Sequence, residues 1–163
     1  MTKDSNLIIF KLDNQKFALK LVDVKRVARV AEITPLPSAP DIVMGIINIH
    51  GEVIPVVNIR KRFNLPERDI ELDNYFIVGR TSKRLVAILV DDIENIVEIQ
   101  KQKIVEKKNI LPGVEYIEGV VKLEGDIVLI QNLEEFLSLD EEKKLDNAMS
   151  SLTKDKGKKK VKK

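Results

Sequence analysis

His50 is the only histidine in a chain that contains no cysteine. Without thiols there is no disulfide framework, no thiolate metal site and no cysteine nucleophile. One imidazole cannot build a His-rich zinc site, and charge-relay hydrolysis would have to pass through His50 with no partner that the sequence identifies. The adjacent carboxylates Asp91-Asp92 and Glu134-Glu135 do not share a face, because neighbours alternate across a strand and sit about 100° apart on a helix. Both pairs read as solvated surface. The glycines, at 45, 51, 79, 113, 119, 125 and 157, are too scattered for a phosphate loop or a dinucleotide fingerprint. The expectation is a protein that is no enzyme and holds neither cofactor nor metal. His50 is placed at an exposed hairpin tip, where a rigid scaffold presents binding groups.

The elements that carry these residues are mostly strands. The chain of 163 residues is long enough for one ordinary domain or two small ones. Its 20 Ile and 18 Val outnumber 17 Leu, 6 Ala and 3 Met, and side chains stiff at χ1 favour pleated, half-buried strands. Ile8, Phe10 and Leu12 alternate, Asp13-Asn14 offers a turn, and Phe17, Leu19 and Leu21 resume the alternation, which makes a hairpin. Thr34-Pro35-Leu36-Pro37-Ser38-Ala39-Pro40 is a rigid extended connection. Ile46 to Ile49 and Val53 to Ile59 are joined at His50-Gly51, and Asn58 can cap a short helix from Ile59 to Phe63. Tyr75 to Gly79, Leu85 to Val90 and Ile93 to Ile99 are further β runs, followed by a lysine-rich stretch and Leu111-Pro112. Val120 to Leu123 and Ile127 to Ile130 are joined at Glu124-Gly125, and Asn132 can cap a helix around Glu134 to Leu137.

The second half repeats the first. At an offset of 74, Gly45, Gly51, Asn58 and Ile59 fall on Gly119, Gly125, Asn132 and Leu133, and six of the seven apolar positions between them fall on apolar residues, the exception being Val57 on Gln131. At an offset of 69, Leu21-Val22-Asp23-Val24 falls on Val90-Asp91-Asp92-Ile93 and Val27 on Ile96. This is the signature of two similar small β units, divided near Phe63 to Asn74.

Charge is segregated. Residues 153 to 163 hold seven lysines and one acid, leaving 21 basic against 25 acidic residues in the rest. With five Phe, two Tyr and no Trp, the chain lacks stacking platforms for single-stranded nucleic acid, so a small-barrel nucleic-acid binder using the basic tail is the alternative and not the leading reading. The tail reads as disordered and solubilising, and Asp140 to Met149 as a helix led by acids. The longest apolar run, Leu85 to Val90, is far short of a membrane span, and Met1-Thr2-Lys3-Asp4-Ser5 is not a signal peptide, which points to the cytoplasm.

The order of motifs resembles the CheW-type chemotaxis coupling proteins. The resemblance rests on Phe10-Lys11-Leu12, Phe17-Ala18-Leu19, Val24 with Val27, Ile33-Thr34-Pro35-Leu36-Pro37 and the run from Val43 to Ile59, whose Gly45-x-x-Asn48-x-x-Gly51-x-x-x-Pro55-Val56 core is the most specific part. Leu89-Val90-Asp91, Tyr116-Ile117-Glu118-Gly119 and Val128 to Leu133 complete it, over about residues 6 to 138. The resemblance implies an all-β fold with short helices: two SH3-like five-stranded β-barrel subdomains within a CheW-like domain at 5–139, the first about 16–63 and the second about 74–131, with terminal segments packing across. A C-terminal helix at 140–152 and a disordered lysine-rich tail at 153–163 follow. It also implies a non-enzymatic adaptor that joins the cytoplasmic hairpin tip of chemoreceptors to the regulatory domain of the histidine kinase CheA, at membrane-associated receptor arrays, without entering the membrane. Such an adaptor is monomeric alone and forms rings with the kinase. Carried over by position, receptor contact falls to Arg26, Val27, Val30, His50, Ile99 and Gln100, and kinase contact to Thr34, Pro35, Leu36, Pro37, Met44 and Asn48. One departure is clear: the family's usual Asn-Leu-Arg-Gly is here Asn48-Ile49-His50-Gly51, and Arg26 stands where a Glu often opposes that Arg. An imidazole cannot hold a carboxylate by two parallel bonds as a guanidinium does, so the change suits a particular receptor or kinase paralogue.

Overall fold

The structure, a computed structural model, describes the backbone of residues 4–106 and 116–161 and the side chains of 5–106 and 116–152. Leu111-Pro112 and the lysine side chains of the tail therefore lie outside the described residues. Among those described, the strands are β1 (Asp4–Leu12), β2 (Gln15–Lys20), β3 (Val24–Arg29), β4 (Val43–Ile49), β5 (Glu52–Val57), β6 (Tyr75–Arg80), β7 (Leu85–Val90), β8 (Asp92–Gln100), β9 (Val105–Glu106), β10 (Ile117–Leu123) and β11 (Asp126–Gln131), with helices α1 (Ile59–Arg62) and α2 (Leu139–Val161). They form a five-stranded sheet in the order β3-β6-β7-β5-β4 and a six-stranded sheet in the order β8-β1-β2-β11-β10-β9. The two sheets are the two SH3-like subdomains, called here the first and second barrel.

Neither barrel coincides with the expected stretches 16–63 and 74–131, because the hairpins are exchanged. The hairpin β1–β2 completes the sheet built from β8 to β11, and β6–β7 completes the one built from β3 to β5. The repeat itself is reproduced pair by pair. Val27 faces Ile77 and, 69 residues on, Ile96 faces Ile8. The parallel seam Val56↔Ala87 recurs as Ile130↔Ala18. Hairpins β4–β5 and β10–β11 share one register and one irregularity, at Gly45 and Gly119. Both turn on residues of positive φ, His50 (51°) and Gly51 (87°) in one, Glu124 (48°) and Gly125 (85°) in the other, the twist that two-residue hairpins require. Gly45 is required by close approach, since a Cβ there would overlap the carbonyl of Thr34, which pairs with Ile46 through two 2.8 Å backbone bonds.

Alternate faces of the same strands feed different cores. Leu7 and Ile9 point into the second barrel with Ala18, Val121 and Val128, whereas Ile8, Phe10 and Leu12 point into a core shared by both barrels. In the first barrel, Phe76 and Val78 face its interior while Ile77, Ile88 and Val90 face the shared core. Strands buried on both faces read as unbroken apolar runs, which is why Leu85 to Val90 is the longest in the chain.

Three local expectations meet different outcomes. The Asn58 side chain caps α1, accepting from the Lys61 amide at 3.2 Å. Its counterpart Asn132 makes no cap bond, and only a single tight turn, Leu133–Glu135, follows it. The C-terminal helix starts at a capping box, with Glu141 N donating to Ser138 Oγ at 3.1 Å and Ser138 N to Glu141 Oε1 at 2.8 Å. Its backbone continues past 152, so residues 153–161 of the segment expected to be disordered form the last turns of α2. Asp140, Glu141 and Glu142 in its first turn complement the helix dipole.

Gln131, the one mismatch in the aligned run, is 1% exposed, and among the described residues neither its amide oxygen nor its nitrogen has a partner. Its counterpart Val57 lies in the shared core. Gln131→Val should therefore raise stability by about 1–2 kcal/mol, by removing unpaired buried polar atoms. Urea unfolding should show a higher midpoint at unchanged m-value.

Candidate functional site

The residues expected at the receptor surface divide between the barrels. Arg26 sits at the bulge of β3, half-buried, with Nη2 at 3.8 Å from Glu52 Oε1, and Lys25 Nζ reaches the same carboxylate at 3.0 Å. Val27 is 42% exposed on the same strand, and Val30 packs partly against the interior of the first barrel. His50 is exposed at the β4–β5 tip, and among the described residues it makes no hydrogen bond or ion pair. Asn48 shapes that tip, its Oδ1 accepting from the Gly51 amide at 3.0 Å. Arg26 is thus tied to the hairpin through Glu52 and not through His50. Both cations pull the Glu52 carboxyl below its ordinary range, with the hydrogen bond from Lys25 the leading cause.

On the second barrel, Gln100 is exposed at the end of β8, but Ile99 is only 7% exposed inside that barrel's core. The side chain of Ile99 is therefore a packing residue and not a groove anchor, because β8 alternates and its neighbours Glu98 and Gln100 take the outer face. The expected kinase-facing segment divides in the same way. Thr34, Pro35 and Pro37 are exposed, whereas Leu36 between the prolines turns inward to the shared core at 7% exposure. Met44 is half-buried and lines a small cavity with Asn58 and Leu89.

The strongest electrostatic feature lies elsewhere. Asp91 occupies the single residue between β7 of the first barrel and β8 of the second. Its carboxylate accepts from Arg60 Nη2 at 2.6 Å, from Arg68 Nη1 at 2.9 Å and from the Asp13 amide at 2.7 Å. Arg60, a buried cation, also holds the Asp13 carboxylate at 3.1 Å and the Pro66 carbonyl at 2.9 Å. Burial alone would push the Asp91 carboxyl up, but the Arg60 bond, the Asp13 amide and the charge of Arg68 together hold it below its ordinary value. The reading of Asp91-Asp92 as plain solvated surface is thereby corrected for Asp91. A charged residue that follows an unbroken buried strand without a turn was the available signal.

The repeat has a second clamp of the same design. Arg60 lies two residues after the Asn58 cap and grips the β1–β2 turn at Asp13. Glu134, two residues after Asn132, accepts from Ser82 N at 2.8 Å and Ser82 Oγ at 2.8 Å in the β6–β7 turn. Each exchanged hairpin is thus fastened at its tip to the unit it left. No group of three metal-ligating side chains occurs among the described residues, and no helix there is long and apolar enough to cross a membrane.

Residues 6–141 match the CheW-like domain family. The chemotaxis protein CheW of Treponema pallidum (strain Nichols) is 29% identical over 112 residues, 66% of either chain. That of Rhizobium meliloti (strain 1021) is 30% identical over 98 residues, 60% of this chain and 63% of the other. The chain thus spans slightly less than two thirds of these relatives' lengths. Among solved structures, the scaffolding protein TtCheW from Thermoanaerobacter tengcongensis superposes with a TM-score of 0.77 at 23% identity, over 86% of this chain and 92% of that one, which establishes a common fold.

Asp91→Asn should cost about 2–3 kcal/mol, since it leaves the buried Arg60 guanidinium beside a neutral partner. The pH dependence follows in sign. A carboxyl whose folded pKa is depressed contributes stability above its unfolded value, near 4, and loses it as pH falls through the folded value. Acid titration of unfolding stability should therefore show a smaller loss below about pH 4 in Asp91→Asn than in the parent.

Proposed function

The chain belongs to the CheW-like domain family, and on that premise we propose that it is a non-enzymatic adaptor coupling chemoreceptors to the histidine kinase CheA. The family membership carries this reading, and the disposition of exposed residues supports it. Val27 is an apolar side chain held open to solvent on a rigid strand, flanked by Lys25 and Arg26, the pattern of an apolar anchor with polar neighbours that set register. Receptor contact is assigned to Arg26, Val27, Val30, His50 and Gln100, and kinase contact to Thr34, Pro35, Pro37, Met44 and Asn48. Ile99 and Leu36 act behind these surfaces by shaping the strands that bear them. The place of action is the cytoplasmic face of receptor arrays, and the form is a monomer that joins the kinase in rings.

The seam beside the β4–β5 tip gives the adaptor its own partner preference. Where the family resemblance sets an acid on β3 against an arginine at the tip, this chain sets Arg26 and Lys25 on β3 against Glu52, and His50 takes the tip. Reversing the order of charge along an interface rim changes which partner is repelled, at little cost to fold stability.

The deciding assay is autophosphorylation of the organism's CheA with a receptor signalling fragment, with and without this protein. Activation that needs all three components is the expected result; kinase and receptor that respond to another coupler and ignore this one would overturn the coupling role. Val27→Asp should weaken receptor binding at least about tenfold while leaving the kinase affinity within about twofold. Arg26→Glu combined with His50→Arg should shift preference among receptor and kinase paralogues, and equal affinity for all of them before and after the change would remove the specialisation.

A further inference from the structure

The connection from α1 to β6 holds an apolar side chain out in solvent on a fixed support. Leu72 is 91% exposed, and Ile70, two residues before it, is 43% exposed. Leu72 and Asp73 are the central residues of a β-turn that the Asn74 amide closes on the Glu71 carbonyl at 3.0 Å. The Asn74 side chain fixes the same turn from the other direction, its Oδ1 accepting from the Glu71 amide at 2.8 Å and its Nδ2 donating to the Asp91 carbonyl at 3.4 Å. The stretch before the turn is pinned as well: Arg68 donates to the Asp91 carboxylate at 2.9 Å, and Arg60 to the Pro66 carbonyl at 2.9 Å. Central turn positions ordinarily favour Asn, Asp, Gly, Pro or Ser. A leucine there adds nothing to either core, and because its backbone is already held, little further ordering is needed when a partner covers it.

The charge around this apolar pair has one sign. Asp69, Glu71 and Asp73 alternate with Ile70 and Leu72, and among the described residues their carboxylates make no hydrogen bond or ion pair. The one base of the segment, Arg68, is already engaged by Asp91 and Asp13. The turn also adjoins the surface assigned to the kinase. Glu67, Arg68 and Asp69 wall the cavity of about 80 Å³ that Met44 lines. Lys61 makes a second link, its Nζ lying 3.2 Å from the Asp41 carbonyl, next to the end of the proline-rich connection, and 4.0 Å from Glu67 Oε1. The proline-rich connection, Met44 and the acidic turn are thereby joined into one stretch of surface on the first barrel.

We propose that this turn is a further contact for the kinase, in which Leu72 and Ile70 enter an apolar recess of the kinase and Asp69, Glu71 and Asp73 meet lysine or arginine at its rim. The assignment deepens the coupling role proposed above and rests on it. The apolar pair supplies affinity through buried area, and the carboxylates around it select a basic rim and repel an acidic one. A neutral rim would desolvate three carboxylates without a counter-charge, which is unfavourable.

The test is titration calorimetry of the full chain against the organism's CheA, without receptor. Leu72→Ser should weaken binding about tenfold, as removal of an apolar anchor does. Leu139→Ser, an equally open leucine at the start of α2, should leave Kd within about twofold and serves as the control. Glu71→Gln combined with Asp73→Asn should weaken binding about threefold to fivefold at low salt, and the difference from the parent should vanish at about 0.5 M salt, where rim charges are screened. All four positions are exposed, so urea midpoints should match the parent. Parent-like binding by Leu72→Ser, an equal loss in Leu139→Ser, or tighter binding after neutralising the two acids would overturn the proposal. So would self-association of the parent that Leu72→Ser abolishes, which would make a second copy of the chain the occupant. A parent that does not bind the kinase would overturn the coupling role together with this contact, whereas a parent that binds and is matched by Leu72→Ser overturns this contact alone.

Discussion

Neither half of this chain contains a complete barrel, and the rest of the structure depends on that constraint. β3, β4 and β5 have no closing strands until β6 and β7 arrive from the second half, and β8 to β11 need β1 and β2 from the first. The exchange obliges the two barrels to lie against each other, since each connection between them is short: a single tight turn from β2 to β3 and the single residue Asp91 from β7 to β8. The strands that cross are then covered on both faces, and a third core forms between the barrels from Phe10, Phe17, Ile77 and Ile88.

The clamps at the hairpin tips follow from the same constraint. A hairpin that has left its own unit exposes its turn at the far side of the other, and an unanchored turn there would fray. Arg60 and Glu134 occupy equivalent positions after their asparagines and grip the two turns with opposite chemistry, a buried guanidinium on Asp13 and Asp91 and an exposed carboxylate on Ser82. The guanidinium clamp has the stronger physical grip, because three donors converge on Asp91 in a part-buried setting, while the carboxylate clamp is exposed and screened. Duplication supplied the geometry, and divergence at single positions set the chemistry of each copy.

Divergence also assigned the surfaces. The first barrel presents Val27, Arg26 and the His50 tip, and draws Arg68 of the connection after α1 onto Asp91. The second barrel keeps Ile99 inside and exposes Gln100 beside it. A repeat of this kind lets two copies of one scaffold carry different binding faces, since single side chains at matching positions differ.

Much of this was legible in the sequence because it is local. Turn residues at Asp13-Asn14, His50-Gly51 and Glu124-Gly125, the alternation along each strand, the Asn58 cap and the repeat offsets all depend on neighbours in the chain. The motif run from Val43 to Ile59 carried the family. Tertiary structure alone decided which hairpin closes which barrel, because strands buried on both faces advertise burial and carry no label for their partner. It decided that Ile99 and Leu36 turn inward, that Asp91 leaves the surface to join Arg60, and that Asn132 gives up the cap its twin makes. Each of these outcomes is a matter of what lies across from a residue and not beside it. Pairing between distant segments is written in the sum of all contacts, and no window of the sequence holds it.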